Sequence, residues 1–100
     1  MAIIEITDGG QSFDLSNLAF TGMLDYIISN CRDAELVSNL EEAKEYGYLT
    51  LDEMPREHAD IFVQFVKSYS KALSIRKDVP EEYLARFVNL ARQLELWLSS

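Results

Sequence analysis

Between Leu51 and Leu73 apolar residues return at helical spacing over an arc too wide for one neighbour to cover. Projected at about 100° per residue, the arc takes in Ala59, Ile61, Phe62, Val63, Phe65, Val66, Tyr69 and Leu73. A helix with that much apolar surface must lie centrally, against two or three other elements. With four glycines and two prolines in 100 residues, the chain favours long regular elements over a loop-rich sheet.

The flanking segments carry their own start and stop signals. Asp14 or Ser16 can cap a first helix over about 17–31, with Phe20, Leu24, Ile27, Ile28 and Cys31 on one face and Tyr26 pointing nearly the other way. Asp33 can cap a second over 34–46, with Leu36, Val37, Leu40 and Ala43 inward and Gly47 at the stop. Thr50 and Glu53 fit a capping box for the central helix, placed at about 51–73, with Pro55 in its first turn. Asp78 and Glu81 repeat that pattern around Pro80 for a fourth helix over about 79–98. Its inward face is Tyr83, Leu84, Phe87, Val88, Leu90, Ala91, Leu94 and Leu98. At the N-terminus Ile3, Ile4 and Ile6 suit a strand, and Asp8-Gly9-Gly10 suits a turn back through Gln11 to Phe13, a hairpin over 2–13. The expected fold is mainly α: a single domain over 1–100, four helices and a short N-terminal strand or hairpin. The alternative is a small α+β domain in which Tyr48–Leu51 pairs with Ile3–Ile6, since Tyr48, Leu49 and Thr50 favour strand.

Charge divides the chain. Residues 1–60 hold thirteen acidic and three basic side chains, a net of −10, whereas residues 61–100 hold four acidic and six basic, a net of +2. The total of −8 argues against direct binding to nucleic acid, which needs clustered Lys and Arg, and against anionic membranes. It would attract a basic protein and speed encounter with it. Cys31 is the sole cysteine, so no disulfide scaffold is available and a reducing compartment fits best. The opening residues lack the features of a signal peptide, and no apolar run approaches membrane-spanning length, so a cytoplasmic location is expected.

No catalytic, cofactor or metal motif competes with the charge signal. His58 is the only histidine, with neither a second histidine nor a nearby cysteine to suggest zinc. It borders the apolar face of the central helix, where a hydrogen bond to a neighbour is the expected state. A general base needs an orienting partner and a pocket, and adjacent Glu57 is poorly placed to orient it. Cys31 falls at a helix C-terminus, away from the dipole end that activates a thiol, so a structural role is expected. The glycine turn lacks the lysine of a phosphate-binding loop, and no segment has calcium-loop spacing. The chain is expected not to be an enzyme and to need no cofactor.

The candidate surface is acidic and tyrosine-bearing. Glu41, Glu42 and Glu45 end the second helix, and Glu53, Glu57 and Asp60 form a stripe on the third, with Asp52 just before it. Tyr46 and Tyr48 lie between the groups. A tyrosine ringed by carboxylates can anchor a partner that supplies Arg or Lys. Acidic residues also favour the first turns of a helix for its dipole alone. Leu96 and Trp97 mark a second candidate surface, for self-association into a homodimer.

Two functions fit. One is an inhibitor that neutralises a basic protein, such as a nuclease toxin, by imitating phosphate charge, as small bacterial immunity proteins do. The opening Ile3-Ile4-Glu5-Ile6, with glycine following, is similar to that of the barstar-like ribonuclease inhibitors over roughly a tenth of the chain; the later helices show no correspondence and no residue role carries over. The other is a regulatory or adaptor domain acting through an apolar surface or self-association. Salt-sensitive binding would mark the first and salt-insensitive binding the second.

Overall fold

A computed structural model describes residues 1–6 and 11–99. In chain order the elements are β1 (Ala2–Glu5), β2 (Ser12–Leu15), α1 (Asn17–Asn30), α2 (Ala34–Tyr46), β3 (Tyr48–Thr50), α3 (Arg56–Ser74) and α4 (Glu81–Ser99). The architecture is mainly helical, with four helices and a small three-stranded sheet.

The sheet has the order β2-β1-β3. β1 pairs antiparallel with β2, from Ala2 opposite Leu15 to Glu5 opposite Ser12. The second arm therefore extends to Leu15, two residues past the expected hairpin, and the expected Asp8-Gly9-Gly10 turn lies outside the described residues. On its other side β1 pairs parallel with β3, Ile3 opposite Tyr48 and Glu5 opposite Thr50. The strand propensity of Tyr48, Leu49 and Thr50 is thus realised, and the pairing weighed as the alternative is present. Side chains alternate across the pleat. Ala2, Ile4, Ile6, Leu15 and Leu49 are buried in the common core, whereas Tyr48 is exposed and Ile3, Glu5 and Thr50 are half-buried.

Prolines correct the start of two helices. α3 begins at Arg56 rather than near Leu51, and α4 at Glu81 rather than Val79. The residue before a proline is pushed out of the α region by its ring. Met54 and Val79 occupy those positions, so neither helix can run back through its proline. Pro55 sits at the N-cap with ψ 143° and makes no side-chain cap bond; the Thr50–Glu53 capping box does not form. Residues 51–54 instead make a turn, closed by Met54 N–H donating to the Leu51 carbonyl at 3.1 Å, with both apolar side chains buried. Asp78 does not serve the expected capping pattern either. Its carboxylate receives Arg76 at 2.8 and 3.1 Å, which holds its pKa below the ordinary value.

The other caps follow the sequence. Ser16 Oγ accepts from Ala19 N–H at 3.1 Å to start α1. Gly47 ends α2 in the left-handed region, φ 71° and ψ 25°, and its N–H donates to the Ala43 carbonyl. A Cβ at Gly47 would meet open space, so the cost of substitution is conformational. Gly47→Ala is expected to destabilise by about 1–2 kcal/mol. Chemical denaturation would read this as a lower midpoint; an unchanged midpoint would show that the α2–β3 reversal does not depend on this φ.

α3 packs along α4 and against α1, which accounts for its broad apolar arc. Ala59, Phe62, Val63, Val66 and Leu73 are buried, with Ile61, Phe65 and Tyr69 half-buried at the margins. α4 packs chiefly on α3, so a narrower stripe is covered: Phe87, Leu90, Ala91 and Leu94. Val88, expected inward, lies outside that stripe and is 42% exposed. Tyr26 is not the outward residue its helical projection suggests. Its ring lies 5.1 Å from that of Tyr69, which stands edge-on to Phe87 at 5.1 Å. Burial first, and then the neighbouring Tyr83, push the Tyr69 hydroxyl up to about 12. Among the described residues no helix is long and apolar enough to cross a membrane.

Candidate functional site

The reversal at Gly47 builds a groove between α2 and β3. α2 ends at Tyr46, Gly47 turns the chain, and Tyr48 opens β3, so the two tyrosines stand on either side of the turn. On α2, Asn39, Glu42, Ala43 and Tyr46 recur at i, i+3, i+4 and i+7 and form one wall. Tyr48, Leu49 and Thr50 of β3 form the other, and Glu53 closes one side from the following turn. The concavity has a volume of about 400 Å³. Tyr46 is 74% exposed at its rim. The Tyr48 hydroxyl donates to Glu5 Oε2 at 2.6 Å, fixing that ring relative to β1.

The structure brings Glu42, Tyr46, Tyr48 and Glu53 of the predicted surface together and divides the rest. Because α3 starts late, Glu53 precedes it, and the expected continuous stripe of Glu53, Glu57 and Asp60 is broken. Glu57 and Asp60 line a separate cleft of about 500 Å³ with Arg56, Gln64, Glu95 and Leu98. Glu45 faces a third depression, beside Lys44 and Met1 and shared with Tyr46. Glu41 and Asp52 are exposed and line none of these three. Asn39 and Thr50 were missed by sequence reasoning; the α2 spacing around Glu42 and Tyr46 could have found Asn39.

The three surfaces differ electrostatically. Among the described residues, the α2–β3 groove is lined by two carboxylates and no basic side chain. Among the described residues no ion pair involves Glu42 or Glu53. In the second cleft Arg56 stands among the acids and donates to the Leu98 carbonyl, while Glu95 is paired with Lys67 at 2.7 Å. In the third, Lys44 lies beside Glu45 and reaches Asp25 at 2.7 Å. Negative charge is least compensated in the α2–β3 groove.

His58 belongs to the scaffold. It is buried near the start of α3, and its Nε2 lies 3.3 Å from Asp33 Oδ2. Asp33 Oδ1 accepts from the N–H groups of Glu35 and Leu36, both at 3.1 Å, so one carboxylate caps α2 and meets α3. These bonds stabilise the charged form: the Leu36 N–H bond, then His58 and the Glu35 N–H, outweigh partial burial and hold the Asp33 pKa below its ordinary value. Its contribution to stability is therefore complete above the ordinary aspartate value of about 3.9 and is lost as pH falls through the lower folded value. Asp33→Ala is expected to melt below the parent at neutral pH, with the difference closing in acid. A difference that stays constant or widens on acidification would contradict this role.

Cys31 is half-buried, with its thiol directed at the Asp33 carbonyl at 4.0 Å. Among the described residues no group of His, Cys, Asp and Glu is placed to hold a metal ion. Leu96 is 61% exposed near the end of α4, whereas Trp97 beside it is half-buried against the core. No protein-family model, curated protein or solved structure matches this chain.

Proposed function

We propose that this is an acidic protein-binding domain that takes a basic protein in the α2–β3 groove and thereby neutralises or inhibits it, a nuclease toxin being the kind of target whose cationic cleft such a surface would fill. One observation carries the reading: among the described residues, Glu42 and Glu53 share a groove lined by no basic side chain, and neither carboxylate has an ion-pair partner. A partner's Lys or Arg would relieve that accumulation, and Tyr46 at the rim offers a rigid amphipathic contact at small entropic cost. The chain's net charge of −8 extends the attraction beyond the contact itself.

The adaptor reading rests on Leu96. With Trp97 packed inward, Leu96 is the large exposed apolar side chain at that end of α4. A dimer contact there would need further apolar area around it. Affinity capture with the intact protein, followed by elution over a salt gradient, separates the two readings. The inhibitor reading expects a basic protein, released by moderate salt and not retained by Glu42→Lys/Glu45→Lys/Glu53→Lys. Retention that ignores both salt and charge reversal but fails with Leu96→Asp would favour the adaptor.

A further inference from the structure

We propose that the groove receives its partner as an extended basic segment, added to the sheet as a fourth strand beside β3. This rests on the reading above, that the groove is the contact surface, and specifies the form of what enters it. The sheet order leaves β3 at an edge, with β1 on one side and the groove on the other. Ile3 N–H donates to the Gly47 carbonyl and Leu51 N–H donates to the Glu5 carbonyl, each at 2.9 Å. Peptide groups alternate along a strand. With the Gly47 carbonyl and Leu51 N–H turned to β1, the N–H and carbonyl of Thr50 turn away from it, into the groove that Thr50 lines. A strand laid there would find a donor and an acceptor at Thr50.

Size and charge select the occupant. The α2 wall from Asn39 to Tyr46 is about 10 Å long at 1.5 Å per residue, and three residues of β3 span about 10 Å. About three extended residues fit. Residues two apart on such a segment project from the same face, so an alternating Lys-X-Lys pattern sets two ammonium groups toward one side, where Glu42 and Glu53 line the groove. A second copy of this chain is a poor occupant. Edge-to-edge pairing would bring the same carboxylates together, an arrangement that discourages sheet extension. A basic segment from another protein turns that repulsion into attraction.

The test uses the intact, isotopically labelled protein and the blocked peptide acetyl-Thr-Lys-Val-Lys-Thr-amide, followed by nuclear magnetic resonance. Saturable shifts at Leu49 and Thr50 are expected, with slowed hydrogen exchange at the Thr50 amide. Two N-methylated versions of the peptide, each blocking one alternate set of backbone amides, probe the pairing itself. Methylation of one set should weaken binding by at least about tenfold while the other is tolerated, because only one set faces β3. Glu42→Gln/Glu53→Gln should weaken binding of the parent peptide. Equal binding of all three peptides would overturn strand addition and leave the acidic groove as a side-chain contact surface. Saturable shifts confined to α4, or none at millimolar peptide, would also overturn strand addition, while the affinity-capture result still judges the broader reading. Self-association through β3 in the absence of peptide would overturn it in favour of a second copy.

Discussion

Phe87→Ala is expected to lower unfolding free energy by about 3–5 kcal/mol, a large share of the roughly 5–15 kcal/mol that holds a small domain together. Phe87 is fully buried where α4 meets α3, and its ring contacts Tyr69 edge-on and Tyr83 at 5.2 Å. Truncation would leave a cavity and remove two ring contacts, each worth about 0.5–1.5 kcal/mol beyond area burial. Tyr69 links this cluster to Tyr26 on α1, so the loss would reach the second interface of the central helix. For a chain of this length the melting temperature should fall by at least about 12 °C. Val88→Ala, one residue along but outside the covered stripe, should change it little. A fall of less than about 4 °C for Phe87→Ala would mean that the α3–α4 contact is not a principal support of the fold.

Charge reversal in the groove is expected to act on association and leave folding intact. Glu42→Lys/Glu53→Lys places two cations in the groove that two carboxylates line, where the proposed basic partner would approach. Association with the protein retained in the affinity experiment should slow by more than about tenfold at low ionic strength, and its dependence on salt should flatten. Both side chains are exposed, so stability should stay within about 0.5 kcal/mol of the parent. Glu45→Lys alone is the informative comparison, because Glu45 faces a different depression and already has Lys44 beside it. It should cost less than about threefold in rate. Equal effects from Glu45→Lys and from the groove pair would mean that overall charge, rather than this groove, governs encounter.

The parts of this molecule readable from sequence are those governed by local chemistry. Ser16, Asp33 and Gly47 cap helices because a side-chain oxygen, or a residue free to take positive φ, stands at the required place. The inward faces of α1 and α2 follow from apolar spacing. The rest turned on competition between local signals or on contacts between distant elements. Pro55 suits a helix start, but its restriction of Met54 outweighs the capping pattern at Thr50 and Glu53, so α3 begins only at Arg56. That single shift also dismantles the expected acidic stripe, sending Glu53 to one groove and Glu57 and Asp60 to another. Tyr26 projects away from its own helix's apolar face yet is covered by Tyr69 from α3, a contact that only tertiary packing creates. The meeting of His58 and Asp33 is of the same kind: a hydrogen-bond partner was foreseeable, its identity was not.

Carbodiimide cross-linking of the intact protein in an extract of its own cells tests the groove most directly, since the reagent joins a carboxylate only to an amine in contact with it. Peptide mass mapping should then find Glu42 and Glu53 joined to lysines of a second, basic protein, with those links lost at high salt. Links confined to Glu57, Asp60 and Glu95 in the α3–α4 cleft, or links to a second protein that spare both Glu42 and Glu53, would contradict the account.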